Sequence, residues 1–439
     1  MHLPSRWIAA LLLPVVGCAG SGGGAPADAG RFNVVLISID TLRGDHLGCY
    51  GYARPTSPTL DALCRESVVF TQAIAQAPST LHSHASLLTS QIPQHHGASW
   101  AARTPLAEEA VSLAEVLAGA GYATAAFTGG GQMDEIFGLD QGFDLYEQPA
   151  VPRFVDTVRA AIPWLEGQGS ERFFLFLHSY ETHHPYEPEA RYLEAVGDEY
   201  DGPLPDAISL DLLLQINNGE IALDDADLAH VVATYDAEIR SMDDGLALLL
   251  DKLRRLGALD RTLLVFTSDH GEEFGEHGTV GWHSHTLYDE LLRVPLVVRF
   301  PRAAFAGARI DRQVRSLDVA PTVLAAVGLE APAAFEGTDL GALVRGEPVD
   351  ELAAVSRQDR PPDKDIESVR TEPWKLTEGK LFHLVTDPGE LWDVTDHAIQ
   401  QRLEEALRAA VESGTALEAE AVVPTGKTLE ELKDLGYLQ

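Results

Sequence analysis

Short apolar runs alternate with helical patterns along this chain, and this alternation limits the fold more than any other feature. Five runs are apolar at nearly every position: Asn33–Ile39, Ala123–Thr128, Phe173–Leu177, Thr262–Thr267 and Val294–Phe300. Four segments repeat apolar residues at helical spacing: Thr59–Ser67, Ser112–Ala120, Ala229–Leu256 and Val319–Val327. Strands of this kind suit a sheet that is covered on both faces. We therefore predict an α/β fold with a large mixed, mostly parallel sheet sandwiched by helices.

Polar side chains follow several of these runs directly. Asp40 follows the first run, His178 and His183 follow the third, and Asp269 and His270 follow the fourth. Because open α/β sheets bind ligands at the carboxyl ends of their strands, we expect these groups to meet at one edge. Carboxylates and imidazoles placed together suit a metal ion or acid–base chemistry.

The amino-terminal residues have the pattern of an export signal. Arg6 provides the positive start, an apolar run reaches Val16, and Cys18 follows a small-residue cleavage site. The run is too short to span a bilayer as a helix. The pattern resembles the bacterial lipobox, which implies that residues 1–18 are a lipoprotein signal and that Cys18 carries the lipid. The implied location is the cell envelope, in the periplasm or at the outer membrane; a plain secretory signal is the alternative.

The composition and the strand and helix patterns predict three further segments of the chain. Residues 19–30 are rich in glycine and predict a flexible tether, and residues 31–355 hold the strand and helix patterns of a main domain. Later residues show short strands, turns and an amphipathic helix near Ala398–Glu412. Residues 356–439 are therefore predicted to form a small carboxy-terminal α+β subdomain.

The charge balance limits the partners. The formal net charge of −35, from 67 acidic and 32 basic side chains, would repel nucleic-acid backbones and anionic lipid headgroups. We expect no nucleic-acid partner, and membrane contact through the lipid anchor alone. Cys49 and Cys64 are too few for a disulfide framework, and they are either buried thiols or a single bridge.

Several motifs, taken in order and spacing, resemble the sulfatase family within the alkaline-phosphatase superfamily. They are NVVLISIDTLRGDHLGCYGY, FFLFLHSYETHHPY, FTSDHGEEFGEHG, LYDELLRVPLVV and SLDVAPTVLAAVGL, followed by VRTEPWKL and DPGELWDV. The resemblance extends over residues 31–439. It implies an α/β sandwich with a small carboxy-terminal domain. It also implies a hydrolase of sulfate or phosphate esters whose substrate is an anionic ester, either a small molecule or a glycan.

The same resemblance implies one divalent metal ion, bound by Asp40, Asp269 and His270. An oxygen-rich set with one histidine suits Ca²⁺, Mg²⁺ or Mn²⁺ better than Zn²⁺. For Asp40 alone, a helix-capping carboxylate is the alternative reading. Sulfatases commonly carry an acidic residue where Thr41 stands and an asparagine where His270 stands. These departures point toward phosphate- and phosphonate-ester relatives.

The main departure from the family lies at the nucleophile. Alignment on residues 85–90 puts Thr80 where sulfatases carry the cysteine or serine that is oxidised to formylglycine. Threonine cannot give that aldehyde, because its β-carbon carries a methyl group. We expect Thr80 to bind the metal and attack directly, as in superfamily members with a threonine nucleophile. The alternative is that Thr80 only caps the helix that follows.

Histidines replace the permanent cations of the sulfatase pocket. By the resemblance, His183 binds the ester oxygens or protonates the leaving group. His84 stands for the family arginine, and His283 or His285 for a lysine, so all three are predicted to bind substrate. A family lysine–histidine pair is replaced by residues 128–131, TGGG. Neutral imidazoles hold an anion less firmly than lysine does.

The remaining histidines of these motifs, His178 and His184, are predicted to be bystanders. Specificity is expected to depend on the rim of the pocket, formed by the segment Pro149–Ile162 and the acidic insertion Glu194–Asp227. Three functions stay open: a hydrolase or phosphotransferase that uses Thr80 on phosphodiesters, including those of envelope glycans or lipids; a sulfatase; and a metal-binding lipoprotein without turnover.

Overall fold

The computed structural model describes residues 32–149, 153–359 and 365–438. Cys18 and the predicted tether over residues 19–30 lie outside the described residues. Within those ranges, no helix combines the length and apolarity needed to cross a membrane. Cys49 and Cys64 are free thiols.

The strands of the described residues form three sheets. Five of these strands agree closely in their bounds with the five predicted runs. In chain order the strands are β1 (Asn33–Ile39), β2 (Val68–Ile74), β3 (Ala123–Phe127), β4 (Leu145–Glu147), β5 (Phe173–Ser179), β6 (Thr262–Thr267), β7 (Glu273–Phe274), β8 (Val280–Trp282), β9 (Arg293–Arg299), β10 (Arg309–Arg315), β11 (Ala354–Gln358), β12 (Ile366–Arg370), β13 (Trp374–Thr377) and β14 (Lys380–His383).

The helices are α1 (Pro58–Arg65), α2 (Thr80–Thr89), α3 (Leu113–Gly119), α4 (Phe154–Gly167), α5 (Ala190–Val196), α6 (Leu210–Asn217), α7 (Asp225–Arg255), α8 (Asp289–Leu292), α9 (Val319–Ala326), α10 (Gly341–Val344), α11 (His397–Ser413) and α12 (Gly426–Asp434). The long helix α7 begins with a capping box, in which Asp224 accepts from the backbone of Asp227.

The largest sheet has eight strands in the order β10-β2-β9-β6-β1-β5-β3-β4. Strand β9 runs antiparallel to both of its neighbours, and the other pairings are parallel. This mixed, mostly parallel sheet confirms the predicted fold class. A smaller antiparallel sheet, β11-β12-β13-β14, lies near the carboxy terminus.

Both faces of the large sheet are buried, as the apolar strands predicted. Val34 and Leu36 of β1 pack in one core layer with residues of α2, α3 and α9. Val35 and Ile37 pack in the other layer with residues of α1, α4 and α7. All four side chains are fully buried, and burial of each contributes about 1.5–3 kcal/mol to folding.

The carboxy-terminal residues divide between two places. The small sheet and α11 share a core that includes Val369, Leu376 and Leu403. The predicted boundary after residue 355 falls inside β11. The last helix, α12, returns to the main sheet, where Leu432 is fully buried in the main core. The end of the chain therefore lies close to the carboxyl edge of the large sheet.

Candidate active site

The carboxyl ends of three adjacent strands, β6, β1 and β5, bring the predicted metal ligands together. Ser38 of β1 is in register with His178 of β5 and Thr267 of β6. The residues that follow the strands therefore meet at one level. Asp40, Asp269 and His270 are buried, and their ligand atoms lie within 4.8 Å of one another.

The geometry of this cluster fits a divalent cation. Asp40 Oδ1, Asp269 Oδ2 and His270 Nε2 are buried without a hydrogen-bond partner. His270 Nδ1 lies 3.0 Å from the carbonyl oxygen of Gly271, so it carries the proton and Nε2 presents a lone pair. That lone pair faces Asp269 Oδ2 at 3.4 Å and Asp40 Oδ1 at 4.0 Å. Buried acceptors that face one another require a positive charge between them.

The ionisation of the cluster leads to the same conclusion. Burial raises the pKa of Asp40 to about 6, and burial together with the charge of Asp40 raises the pKa of Asp269. For His270, burial opposes the charged form, but Asp269 and Asp40 outweigh it and raise the pKa. The field of the carboxylates thus favours a cation at the position of His270 Nε2.

Thr80 is the first residue of α2, and its side chain points at the cluster. Its hydroxyl donates to Asp40 Oδ2 at 3.0 Å. The N-cap position belongs to Ser79, and no side chain caps the helix. The capping role considered for Thr80 therefore does not fit, because its hydroxyl serves Asp40 instead of a backbone amide.

His84 lies directly behind the cluster, with its Nδ1 3.6 Å from Asp269 Oδ2. One ring nitrogen lies 2.8 Å from the carbonyl oxygen of Thr80, and the other lies 2.9 Å from the hydroxyl of Ser38. Burial lowers the pKa of His84 to about 4. This arrangement does not favour the predicted substrate-binding role of His84, because both ring nitrogens are engaged and the lowered pKa favours the neutral ring.

His178 was predicted to be a bystander, but it lies close to the cluster. Its Nε2 is 3.5 Å from Asp40 Oδ2, and its ring packs edge-on against His84. Burial lowers the pKa of His178 to about 4. The lowered pKa favours the uncharged ring, which packs beside Asp40.

A second group of histidines borders the first cluster. His183, His184 and His283 are all buried, with ligand atoms within 4.8 Å of one another. The ring of His283 is 4.6 Å from that of His270. His184, predicted to be a bystander, is thus part of the site. Glu272 lies 2.8 Å from His283 Nδ1. It was not predicted from the sequence, although it follows the Asp-His-Gly motif directly.

His183 has a tautomer that does not suit an acid. Its Nδ1 lies 2.6 Å from the carbonyl oxygen of His184, so Nδ1 is the protonated nitrogen. Burial holds the pKa of His183 well below its ordinary value. Its Nε2 therefore presents a lone pair, and the predicted protonation of a leaving group does not fit this ring.

His285 lies outside the site. Its Nε2 is 2.8 Å from Glu273 Oε2 and 3.1 Å from the hydroxyl of Thr279. Ser284 adopts a positive φ of 63°, which turns His285 away from His283. The structure therefore favours His283, which faces the cluster, over His285 as the histidine predicted to bind substrate.

The end of the chain supplies a residue that the sequence reading missed. The phenol of Tyr437 contacts Thr80, with 2.9 Å between the two oxygens, and its ring packs on His183. The segment is held by Thr428, which donates to Asp134, and by Glu431, which accepts from the backbone of Gly131. The glycines at 130 and 131 were the available signal, because glycine permits close approach of another segment.

A cavity of about 610 Å³ borders the histidine cluster of this site. Its walls include His183, His184 and Tyr180, and the segment Pro149–Ile162 contributes Arg153. The segment Glu194–Asp227, which contains α6, lines none of the cavity among the described residues, and α12 occupies the rim instead. Acidic groups dominate the lining: Glu181, Glu187, Glu238, Glu430, Glu431 and Asp434.

Family models match most of the chain. The sulfatase model matches residues 32–329. A model of the carboxy-terminal part of N-sulphoglucosamine sulphohydrolase matches residues 275–416. These ranges include the cluster of Asp40, Asp269 and His270, the histidine cluster and the small sheet.

Individual proteins agree with the family models. An ulvan-active sulfatase of Formosa agariphila is 27% identical over 398 residues, which cover 81% of this chain and 75% of that protein. The multifunctional alkaline phosphatase superfamily protein PehA of Trinickia caryophylli is 28% identical over 410 residues, or 73% and 78% of the two chains. The phosphonate monoester hydrolase structure of Agrobacterium radiobacter superposes with a TM-score of 0.71 at 22% identity, covering 87% and 96%.

Proposed function

The chain belongs to the sulfatase family of ester hydrolases, and on this premise we propose that it cleaves phosphate or phosphonate esters by direct attack of Thr80. The observation that carries the proposal is the hydrogen bond from the Thr80 hydroxyl to Asp40 Oδ2, at 3.0 Å. It aims the hydroxyl at the carboxylate cluster. Asp40 thus orients the attacking oxygen and is placed to receive its proton.

The chemistry of threonine favours phosphorus esters. A sulfatase attacks through the hydrate of formylglycine, and the methyl group of Thr80 closes that route. A phosphonate monoester hydrolase among the similar structures and a multifunctional superfamily member among the relatives support phosphorus esters as substrates. Organic sulfates are the second candidate, because an ulvan-active sulfatase is also a relative.

A divalent cation held by Asp40, Asp269 and His270 would lower the pKa of the Thr80 hydroxyl and offset charge on the ester oxygens. The residues of the chain position the Thr80 hydroxyl and exclude water from the cluster. Thr80 begins α2, where the helix dipole stabilises an anionic ester. His84, His178 and Tyr180 wall the cluster with buried, neutral rings.

The substrate is expected to carry little negative charge beyond its ester. Carboxyl groups dominate the cavity lining, with Arg153 and Lys427 as the cations. A polyanionic glycan would be repelled there, whereas a neutral or cationic group would be accepted. We propose an anionic ester with such a group, from a small molecule or an envelope component.

The test is a panel of aryl esters with the full chain and matched variants. Bis(4-nitrophenyl) phosphate and an aryl phosphonate monoester should be cleaved faster than 4-nitrophenyl sulfate. Thr80→Ala should lower kcat by at least about 10³, as loss of a nucleophile does, whereas Thr80→Ser should retain much of the rate. Full activity in Thr80→Ala contradicts the proposal. Faster cleavage of the sulfate ester favours the second candidate, and no hydrolysis by metal-loaded protein favours a binding lipoprotein.

We also propose that the chain is exported and anchored through Cys18, on the strength of the lipobox-like sequence. Cys18→Ala should move the protein from the membrane fraction to the soluble envelope fraction. Retention of that variant in membranes would contradict a lipid anchor.

A further inference from the structure

The histidine cluster formed by His183, His184 and His283 has properties that the proposed hydrolysis does not explain. The three rings come from the segment after β5 and from the loop after β8. Each ring is at most 5% exposed. His183 Nε2 and both ring nitrogens of His184 lack a hydrogen-bond partner. Unpartnered polar atoms in a buried site call for an ion or another ligand.

The tautomers decide between an anion and a cation. His183 donates from Nδ1 to the carbonyl oxygen of His184, and His283 donates from Nδ1 to the Glu272 carboxylate at 2.8 Å. In both rings the proton is therefore on Nδ1, and Nε2 presents its lone pair to the site. A lone pair repels an ester oxygen and binds a metal ion.

Glu272 gives the cluster the surroundings of a metal site. It accepts from His283 Nδ1, and its other oxygen lies 3.1 Å from the Tyr186 hydroxyl. The same carboxylate lies 3.8 Å from His184 Nδ1. A carboxylate behind a histidine fixes the ring orientation and strengthens the ligand.

We propose that His183, His184 and His283 bind a second divalent metal ion beside the one at Asp40, Asp269 and His270. Three imidazole nitrogens with an open fourth position favour Zn²⁺ or a similar borderline cation. The rings of His270 and His283 are 4.6 Å apart, so the two proposed metal sites adjoin each other, and an ester bound at the first would lie beside the second. The role at the ester rests on the proposed function, whereas the metal site itself does not.

The test is metal stoichiometry of the full chain. Protein is incubated with Zn²⁺, freed of unbound metal by gel filtration and analysed by inductively coupled plasma mass spectrometry. Two equivalents are expected in the unmodified protein, one in His183→Gln or His283→Gln, and one in Asp269→Asn. The matched control is His230→Gln, whose ring nitrogens are engaged by Asp198 and Pro205; it should keep two.

Two results would overturn the second site: a single zinc equivalent that is lost in Asp269→Asn but kept in His183→Gln, or two equivalents that survive His183→Gln. In case the histidine variants fail to fold, Glu272→Gln gives a milder test. It should weaken binding of the second equivalent about 10- to 100-fold, and unchanged affinity contradicts the inference. Loss of metal only in Asp269→Asn would leave the proposed function standing. Two equivalents without ester hydrolysis would leave the second site standing and remove the proposed function.

Discussion

The phenol oxygen of Tyr437 lies 2.9 Å from the hydroxyl oxygen of Thr80, although 357 positions separate the two residues. Thr80 donates its own proton to Asp40, so Tyr437 is the donor in this contact. The phenol therefore engages a lone pair of the oxygen that is proposed to attack. The carboxy-terminal segment thus holds the proposed nucleophile in a resting arrangement.

Tyr437→Phe is expected to raise kcat/KM for an aryl phosphodiester by about tenfold, since a hydrogen bond of ~1.4 kcal/mol no longer has to break before attack. Steady-state kinetics check this. Tyr122→Phe is the control, because its phenol donates to the Phe32 carbonyl at 2.9 Å, at the opposite end of β1. A fall in kcat for Tyr437→Phe would show that the phenol assists catalysis instead.

Gly131→Ala is expected to loosen the carboxy-terminal segment. A β-carbon at this position would lie 2.6 Å from Leu435 Cδ1, and φ is +60°. The cost of the collision and the strain is about 1–3 kcal/mol. Limited proteolysis with intact mass measurement should detect faster loss of the carboxy terminus. Gly346→Ala has similar strain, with φ +73° and open space around it, and should be cleaved at the rate of the unmodified protein.

The acidic cavity is expected to select substrates by charge. A nitrophenyl phosphodiester of choline should have a kcat/KM about tenfold above that of an analogue with a carboxylate in place of the ammonium group. Added salt should reduce the difference, since it screens exposed charges. Glu430→Gln should also reduce it, because Glu430 lines the cavity. Equal rates for the two esters would show that the acidic wall does not contact the substrate.

Glu238 gives the fold a dependence on pH. Burial, then the neighbouring Glu181, raises its pKa from 4.5 to about 8, while the amide of Glu187 and the charge of Arg153 oppose the shift. Between these values the folded state binds a proton that the unfolded state releases. Stability is therefore expected to fall as pH rises through this window.

Glu238→Gln removes the ionisable group and keeps an acceptor for the amide of Glu187, which lies 2.8 Å away. In urea unfolding, the free energy of unfolding of Glu238→Gln should exceed that of the unmodified protein near pH 8. Near pH 4.5 the two free energies should be almost equal. A constant difference across the window would mean that Glu238 does not titrate as described.

The sequence predicted the parts of the site that depend on strand ends. Asp40, Asp269 and His270 follow apolar runs, and parallel pairing of β6, β1 and β5 brings them to one level. The five runs and the four helical segments predicted for the main domain match strands and helices to within a few residues, because their apolar periodicity reflects burial on both faces of the sheet.

Two features of the site could not be predicted from the sequence. One depends on local backbone conformation, and the other depends on the path of the carboxy-terminal segment. His283 and His285 look equivalent in sequence, and the left-handed conformation of Ser284 separates them. The return of α12 to the main sheet depends on the burial of Leu432, which no local pattern reports. Tyr437 could therefore not be assigned to the site from sequence.

The most direct test of the account is mass spectrometry of Thr80 after brief exposure of metal-loaded protein to an aryl phosphodiester, followed by acid quenching. Direct attack displaces one aryloxide and predicts the remaining aryl phosphate as a diester on Thr80, in a peptide from α2, absent from Thr80→Ala and from Asp269→Asn. Hydrolysis of the ester without an adduct on Thr80, together with full turnover in Thr80→Ala, would contradict the assignment of Thr80 as the nucleophile.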